Sequence, residues 1–363
     1  MKKILYINDV TFTSGSGEIT HTVGILNALD RAGVNVTYLT FERNRKILLE
    51  YGLSTNINVV YSRNFGGAKL SRIFYFLNLL FRPTSGFDYI YARDSIFTFL
   101  LYPLILFKHK VRLVLEYNGV REYELKSFFS KFVNSVISRF SRLVANRAHL
   151  NVAVATGIEN YFHKYQNIHK VITINNGSNL SRGFEYVKQD ISDLPKIIVF
   201  VGNISVWQDF DLLIRLASNN RRFLADNNFA FHLYGDGIEL PRLKRVIGDL
   251  KLEDIISFKG KIANHMLPSI LSSCRAGLLI DKRFIDGFPL FSPLKMYEYN
   301  LFDLPSIHIT DKKVESLQAH GYYLIDGDNF GDLLGILSKE HHLASSSRSW
   351  DDVAKDFLNK VFV

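Results

Sequence analysis

The chain carries a single cysteine, Cys274, in 363 residues, so no intrachain disulfide can form. That fits a reducing compartment. Its setting, "ILSSCRAGLLI", has no activating neighbour and reads as a buried core thiol. Prolines number only eight and no long polar tract occurs, which excludes large disordered segments. Long apolar runs are also missing. The longest, "IFTFLLYPLILF" at 96–107, is far short of the about 20 residues that cross a bilayer. At the start, Lys2 and Lys3 precede the apolar run "ILYI", which breaks at Asn8-Asp9. No secretory leader is expected from so short a run. The eleven histidines are scattered, without the spacing of a metal site. These absences point to a cytoplasmic protein, with a peripheral position on the inner face of a membrane left open.

Acidic residues are scarce in one half. Residues 1–185 hold 23 Lys and Arg against 12 Asp and Glu, a net of +11, whereas residues 186–363 hold 21 against 23. A basic half joined to a near-neutral half suggests that one domain meets an anionic surface, either lipid or nucleic acid. No helix-turn-helix, zinc or RNA-binding signature supports nucleic acid. Lipid has candidates: "KSFFSKFVNSVISRFSRLVANR" at 126–147 and "KLSRIFYFLNLLFR" at 69–82. In the first, apolar residues recur at spacings of three and four, with most cations off that stripe. It reads either as an amphipathic helix on anionic lipid or as a helix packing its stripe on a sheet.

What is present in quantity is core-forming material, with 47% hydrophobic residues against 22% charged. It is arranged as alternating strands and helices. "KKILYIND" is a short buried strand, "TFTSGSGEI" a Gly/Ser loop, and "THTVGILNALDRAG" a helix stopping at Gly33. Strands follow at "VNVTYLTF", "FDYIYAR", "KVRLVLEYN", "NVAVAT" and "VITINNG". The pattern then restarts at "LPKIIVFVGN" and continues through "FAFHLYGDG", "IISFKG", "AGLLID" and "PSIHI". This predicts two Rossmann-like, doubly wound α/β domains, over 1–185 and 186–345, with a linker near 183–195. Ligands of such sheets bind beyond the carboxyl ends of the strands. A cleft between two of them is a common ligand site.

"FVGNISVWQDFDLLIRLA", "HLYGDGIELPRLK", "SFKGKI" and "SPLKMYEY" occur in that order. Together they resemble the second domain of the retaining glycosyltransferases of family 4, which have the GT-B fold. The Gly-rich loop, "FDYIYAR", "EYNG" and "ITINNGSNLSRGF" agree for the first domain. "SSRSWDDVAKDFL" resembles the family's last helix, expected over 346–363 and crossing back onto the first domain. The resemblance spans nearly the whole chain. It implies sugar transfer from a nucleoside diphosphate sugar to a glycan or lipid-linked glycan, in polysaccharide or glycolipid synthesis. No metal or other cofactor is implied. A sugar-nucleotide 2-epimerase of the same fold and a non-catalytic nucleotide- or glycan-binding subunit are the alternatives.

The stretch "SPLKMYEYN" carries the sharpest local signal. Ser292 reads as N-cap and Pro293 as the first helical position. Lys295 then sits in the first turn, where a cation opposes the helix dipole. An anion bound at that N-terminus would reverse the penalty. The resemblance places the nucleotide diphosphate there, with Ser292, Pro293, Leu294 and Lys295 as donor contacts. It gives Glu298, one turn on, to the ribose. The plain alternative is a Lys295/Glu298 surface pair. Further implied donor contacts are Gly15, Gly17, Gly202, Asn203, Gln208, Gly235, Lys261, Ile262 and Lys282, with Arg283 a second candidate for the diphosphate. His21 and Arg93 are implied on the acceptor side. His21, which could contact acceptor or phosphate, reads first as an exposed helix residue.

The chain departs from the family pattern in three places. Leu290 stands where a first glutamate is expected, eight positions before Glu298. Asp286, in "DGFP", is the candidate replacement or simply a turn residue. "GNISVWQ" puts Asn203 and Gln208 where many members carry Arg and Lys. Glu116 and Asn118 stand where many relatives have a histidine, and are the remaining catalytic candidates.

Overall fold

The structure, a computed structural model, describes residues 1–12, 17–62, 68–81, 84–95, 97–101, 112–120, 128–180, 195–312, 314 and 321–362. Gly15 and the linker near 183–195 lie outside them, the linker but for its last residue.

Two parallel sheets organise the chain. In the first, β1 (Lys3–Ile7), β2 (Asn35–Phe41), β3 (Asn58–Ser62), β4 (Tyr89–Arg93), β5 (Arg112–Tyr117), β6 (Leu150–Ala153) and β7 (Val171–Thr173) lie in the order β3-β2-β1-β4-β5-β6-β7. In the second, β8 (Ile197–Val201), β9 (Ala230–Tyr234), β10 (Ile256–Gly260), β11 (Ala276–Ile280), β14 (Ser306–Ile309) and β15 (Tyr322–Ile325) lie in the order β10-β9-β8-β11-β14-β15. A small antiparallel hairpin, β12 (Phe284–Ile285) with β13 (Phe288–Pro289), stands apart from both. This is the GT-B arrangement of two Rossmann-like units. Strands such as "AGLLI" are buried along their whole length. Parallel strands covered on both faces read as unbroken apolar runs, and for that reason they were visible in sequence.

Two sheet strands were not. β3 and β15 are edge strands whose residues are mostly half-buried. Their apolar runs are too short to stand out. The hairpin was not expected either.

The final helix, Trp350–Val361, crosses back to the first unit. It begins with a capping box between Ser349 and Asp352. Trp350 then packs where a Cβ on Gly24 of the first helix (Gly17–Arg31) would come within 2.3 Å of its indole nitrogen. Only glycine leaves that space. Trp350, Val353, Ala354 and Phe357 join the core formed by Tyr6, Val23 and Tyr91. No described helix is long and apolar enough to cross a membrane.

Candidate functional site

The first turn of the Leu294–Leu301 helix forms one wall of a cavity between the two units. The cavity opens to solvent, and the empty space in and at its mouth is about 650 Å³. Asn118, Val154 and Asn176 line it from the first unit. Trp207, Gln208, Asp281, Arg283, Ser292 and Lys295 are among those lining it from the second.

The two tyrosines of "YEY" fix this helix. Tyr299 is fully buried and lies against Gly277, where a Cβ would strike its ring at 1.9 Å. Its hydroxyl donates to the Val199 and Leu278 carbonyls at 3.1 and 3.3 Å. Tyr297 is buried, and its carbonyl accepts from Ser347 Oγ at 2.8 Å. With these positions locked, Lys295 is held at the cavity wall. Its Nζ lies 4.9 Å from the centre of the Phe200 ring. It also sits against Gly202, where a Cβ would come within 2.8 Å of Nζ. Burial holds the ammonium below the ordinary lysine range, against the pull of Glu298 and Asp281. Burial likewise pushes the Glu298 carboxyl up, with Lys295 opposing. Lys295 and Glu298 are half-buried, and among the described residues neither has an ion-pair partner. The surface pair is not formed.

The helix start corrects the sequence reading by one residue. Pro293 is the N-cap, in extended conformation and without a side-chain cap bond, and Leu294 is the first helical residue. Ser292 lies outside because its groups are engaged elsewhere. Its Oγ accepts from the Asn176 backbone N–H at 3.2 Å, and its carbonyl accepts from Asn176 Nδ2 at 2.9 Å. Ser292 therefore ties the helix start to the first unit. Leu294 faces the start of the first helix, 3.9 Å from where a Gly17 Cβ would stand.

Arg283 supplies the cation that Lys282 was also considered for. Its guanidinium is bidentate to Asp281, at 2.9 and 2.6 Å, and reaches over the Trp207 and Phe291 rings. Lys282 is exposed and does not line the cavity. His308 supports this corner. It is fully buried, with Nε2 3.2 Å from the Asp281 carbonyl and Nδ1 bonded to the Tyr322 hydroxyl. Burial lowers it to about 4, so it is a neutral prop.

Among the glycines, Gly202 and Gly235 pack backbone to backbone. Both have positive φ, and a Cβ on Gly235 would strike the Gly202 carbonyl at 1.8 Å. Asn203 is exposed and Gln208 accepts from Ser205 N–H at 2.7 Å. Lys261 pairs with Asp236 at 3.2 Å, outside the cavity lining, and Ile262 is half-buried beside it.

Asp286 is not brought to the cavity. It sits exposed in the hairpin turn at φ 49°, accepting from Lys164 Nζ at 2.9 Å and Tyr165 Oη at 2.8 Å. The Lys164 contact holds its carboxyl below the usual range. Leu290 is explained by the same hairpin. It is buried with Ile285 in the core of the first unit, where a glutamate would be desolvated without a partner.

His21 is buried, contrary to an exposed helix position. Its ring meets Trp350 edge-on at 4.9 Å, and Nε2 lies 3.4 Å from Glu116 Oε1. Burial lowers the imidazole to about 4, with Glu116 opposing. Glu116 is buried behind the cavity rather than in its wall, and Asn118 is the member of the pair that lines it. Arg93 lies 3.6 Å from Glu18, and its buried Nη1 has no hydrogen-bond partner among the described residues. Sequence reasoning missed Asn176, Trp207, Asp281 and His308. Trp207 stands in the quoted run "GNISVWQ", but only its exposure at the cavity distinguishes it from a core tryptophan.

The model of Glycosyltransferase Family 4 matches residues 16–182, and that of glycosyl transferases group 1 matches residues 182–324. A comparison with curated protein sequences finds no match. Among solved structures, the chain is similar to a sucrose-phosphate synthase from Thermosynechococcus elongatus. The TM-score is 0.74 at 14% identity, covering 99% of this chain and 98% of that one. It is similar to a lipopolysaccharide outer core galactosyltransferase in its apo form, with a TM-score of 0.69 at 15% identity and 99% of both chains covered. It is also similar to the catalytic domain of starch synthase IV from Arabidopsis thaliana bound to ADP and acarbose. That match has a TM-score of 0.65 at 11% identity, with 99% and 98% covered.

Proposed function

The chain is a glycosyltransferase of the family-4, GT-B type, and on that premise we propose that it transfers a sugar from a nucleoside diphosphate sugar to a glycan or lipid-linked glycan with retention of configuration. One observation carries the reading: a lysine with no ion-pair partner among the described residues stands in the first helical turn, on the wall of a cavity between two parallel sheets. A cation so placed opposes the helix dipole unless an anion is bound. In this reading Lys295 and the first-turn amides hold the diphosphate. Arg283 adds a second positive group, and Glu298 accepts from the ribose hydroxyls. Gly17 and Gly202 give the backbone room to close on the donor. Lys261 and Ile262 offer backbone contacts to the base. The sugar then faces Asn118 and Trp207.

The chemistry follows from that placement. The bond between the anomeric carbon and the phosphate oxygen breaks, and its electrons stay on the diphosphate. The acceptor hydroxyl forms the new bond on the same face and gives its proton to the departing phosphate oxygen. Stabilising the charge that develops there is the main catalytic effect. Lys295, Arg283 and the helix amides supply it, with no metal or cofactor in the scheme. The acceptor approaches from the first unit, on the side of Arg93.

A lipid-linked acceptor in glycolipid or surface polysaccharide synthesis is favoured by one further feature. Leu70, Ile73, Phe74 and Leu77 are exposed on the Ala68–Phe81 helix, at the spacing of one helical face. Phe140 and Leu143 are exposed on the Phe128–Arg147 helix, next to exposed Arg139. Apolar residues with flanking cations suit an anionic membrane surface.

A thermal-shift screen of UDP, GDP, ADP and their sugar conjugates tests the donor reading. One base should stabilise the protein, by about 2.7 kcal/mol at a hundredfold excess over its dissociation constant. No shift with any nucleotide would remove the proposal.

A further inference from the structure

We infer that Glu116 is a positioning residue: it fixes which end of the Asn118 amide faces the cavity between the two units. The inference rests on the proposal that the donor sugar occupies that cavity. Glu116 and Asn118 lie two residues apart, where β5 ends. Asn118 lines the cavity. Glu116 is 2% exposed and does not.

The buried carboxylate is surrounded by donors. The Tyr91 hydroxyl donates to Oε2. Asn118 Nδ2 donates to Oε1 at 2.5 Å. His21 Nε2 lies 3.4 Å from the same oxygen. Trp350 holds that ring in place from the final helix. A carboxylate has no proton to give, so the amide of Asn118 meets it with its NH2 group. The Oδ1 end is then the one presented to the cavity. An amide without this anchor could offer either a donor or an acceptor to the site. With it, this point of the wall is committed to accepting.

That commitment has a use. Donors in the cavity wall are the Lys295 ammonium, the Arg283 guanidinium and the Trp207 indole, and the Asp281 carboxylate beside them is already taken by that guanidinium. Asn176 has its own NH2 tied to the Ser292 carbonyl. Asn118 Oδ1 supplies an acceptor from the opposite unit, suited to a ring hydroxyl of the sugar. Glu116 selects for that hydroxyl without touching it.

Calorimetric affinities for UDP against UDP-glucose, and GDP against GDP-mannose, test this. Asn118→Ala and Glu116→Ala should each weaken the sugar nucleotide about three- to tenfold, the range of one hydrogen bond, and leave the bare diphosphate unchanged. The double substitution should be no worse than either single one. Glu116→Gln should restore affinity. Its Oε1 can stay between Asn118 and His21 while its NH2 turns to the Tyr91 oxygen. Equal loss for diphosphate and sugar nucleotide, or additive losses in the double variant, would assign Glu116 a purely structural role and overturn the inference. Should Glu116→Ala fail to fold, Asn118→Asp decides. It is nearly isosteric but sets a carboxylate against a carboxylate, so it should lose as much as Asn118→Ala. Wild-type sugar-nucleotide affinity in that variant would overturn the inference. Failure of the unsubstituted protein to bind any of the four ligands, or ADP and its sugar conjugate, would instead remove the donor reading beneath it.

Discussion

In the proposed reading, Lys295 is costly to the empty protein and useful to the loaded one. In the first helical turn it opposes the dipole at about 0.3–1 kcal/mol. The Phe200 face offsets part of that penalty by a cation–π contact. Lys295→Ala should therefore leave the apo melting temperature nearly unchanged or raise it slightly. Affinity for the nucleoside diphosphate should fall on the order of tenfold or more, because a charge-assisted contact contributes about 1.5–3 kcal/mol. Affinity for the bare nucleoside should hold. Melting temperature and calorimetry on the two ligands check this. Equal losses for both ligands, with a lower apo melting temperature, would make Lys295 structural. Its place in the first helical turn was legible in the sequence, and its sign there made it stand out. His21 was not. What buries it is Trp350, 329 positions later, and no local pattern announces that contact. Asn176 was hidden for the same reason: its partner, Ser292, is 116 residues away.

At the scale of elements, the β12–β13 hairpin was legible only as a turn. Asp286 and Gly287 both have positive φ, at 49° and 81°, the backbone that "DG" favours in tight hairpins. What the hairpin docks on was not legible. Ile285 and Leu290 enter the core of the first unit, so an element of the second unit completes the first. Its backbone lies directly on Gly157, where a Cβ would stand 2.2 Å from the Pro289 carbonyl. The Lys164–Asp286 pair at its tip is exposed, and exposed pairs contribute little. Packing therefore holds the hairpin, not charge. Gly157→Ala should lower the melting temperature by several degrees, since the clash is with backbone that cannot rotate away. Lys164→Ala should leave it within error. Differential scanning calorimetry separates the two, and a larger loss from Lys164→Ala would reverse the assignment.

For the whole molecule, the two parallel sheets were readable because buried parallel strands are unbroken apolar runs, and the restart at Ile197–Val201 marked the second sheet. The space between the sheets was not readable. Its wall draws Asn118 and Asn176 from one unit and Trp207, Asp281 and Lys295 from the other. Motif spacing within either unit says nothing about which side chains meet. The central claim, retaining transfer, is tested most directly by the anomeric configuration of the product. Proton NMR of the glycoside formed from the α-linked sugar nucleotide that stabilises the protein reads it from the coupling at the anomeric carbon. An α-linked product, formed only when acceptor is present, is the predicted result. A β-linked product would contradict retention, and an epimer of the donor formed without acceptor would contradict transfer.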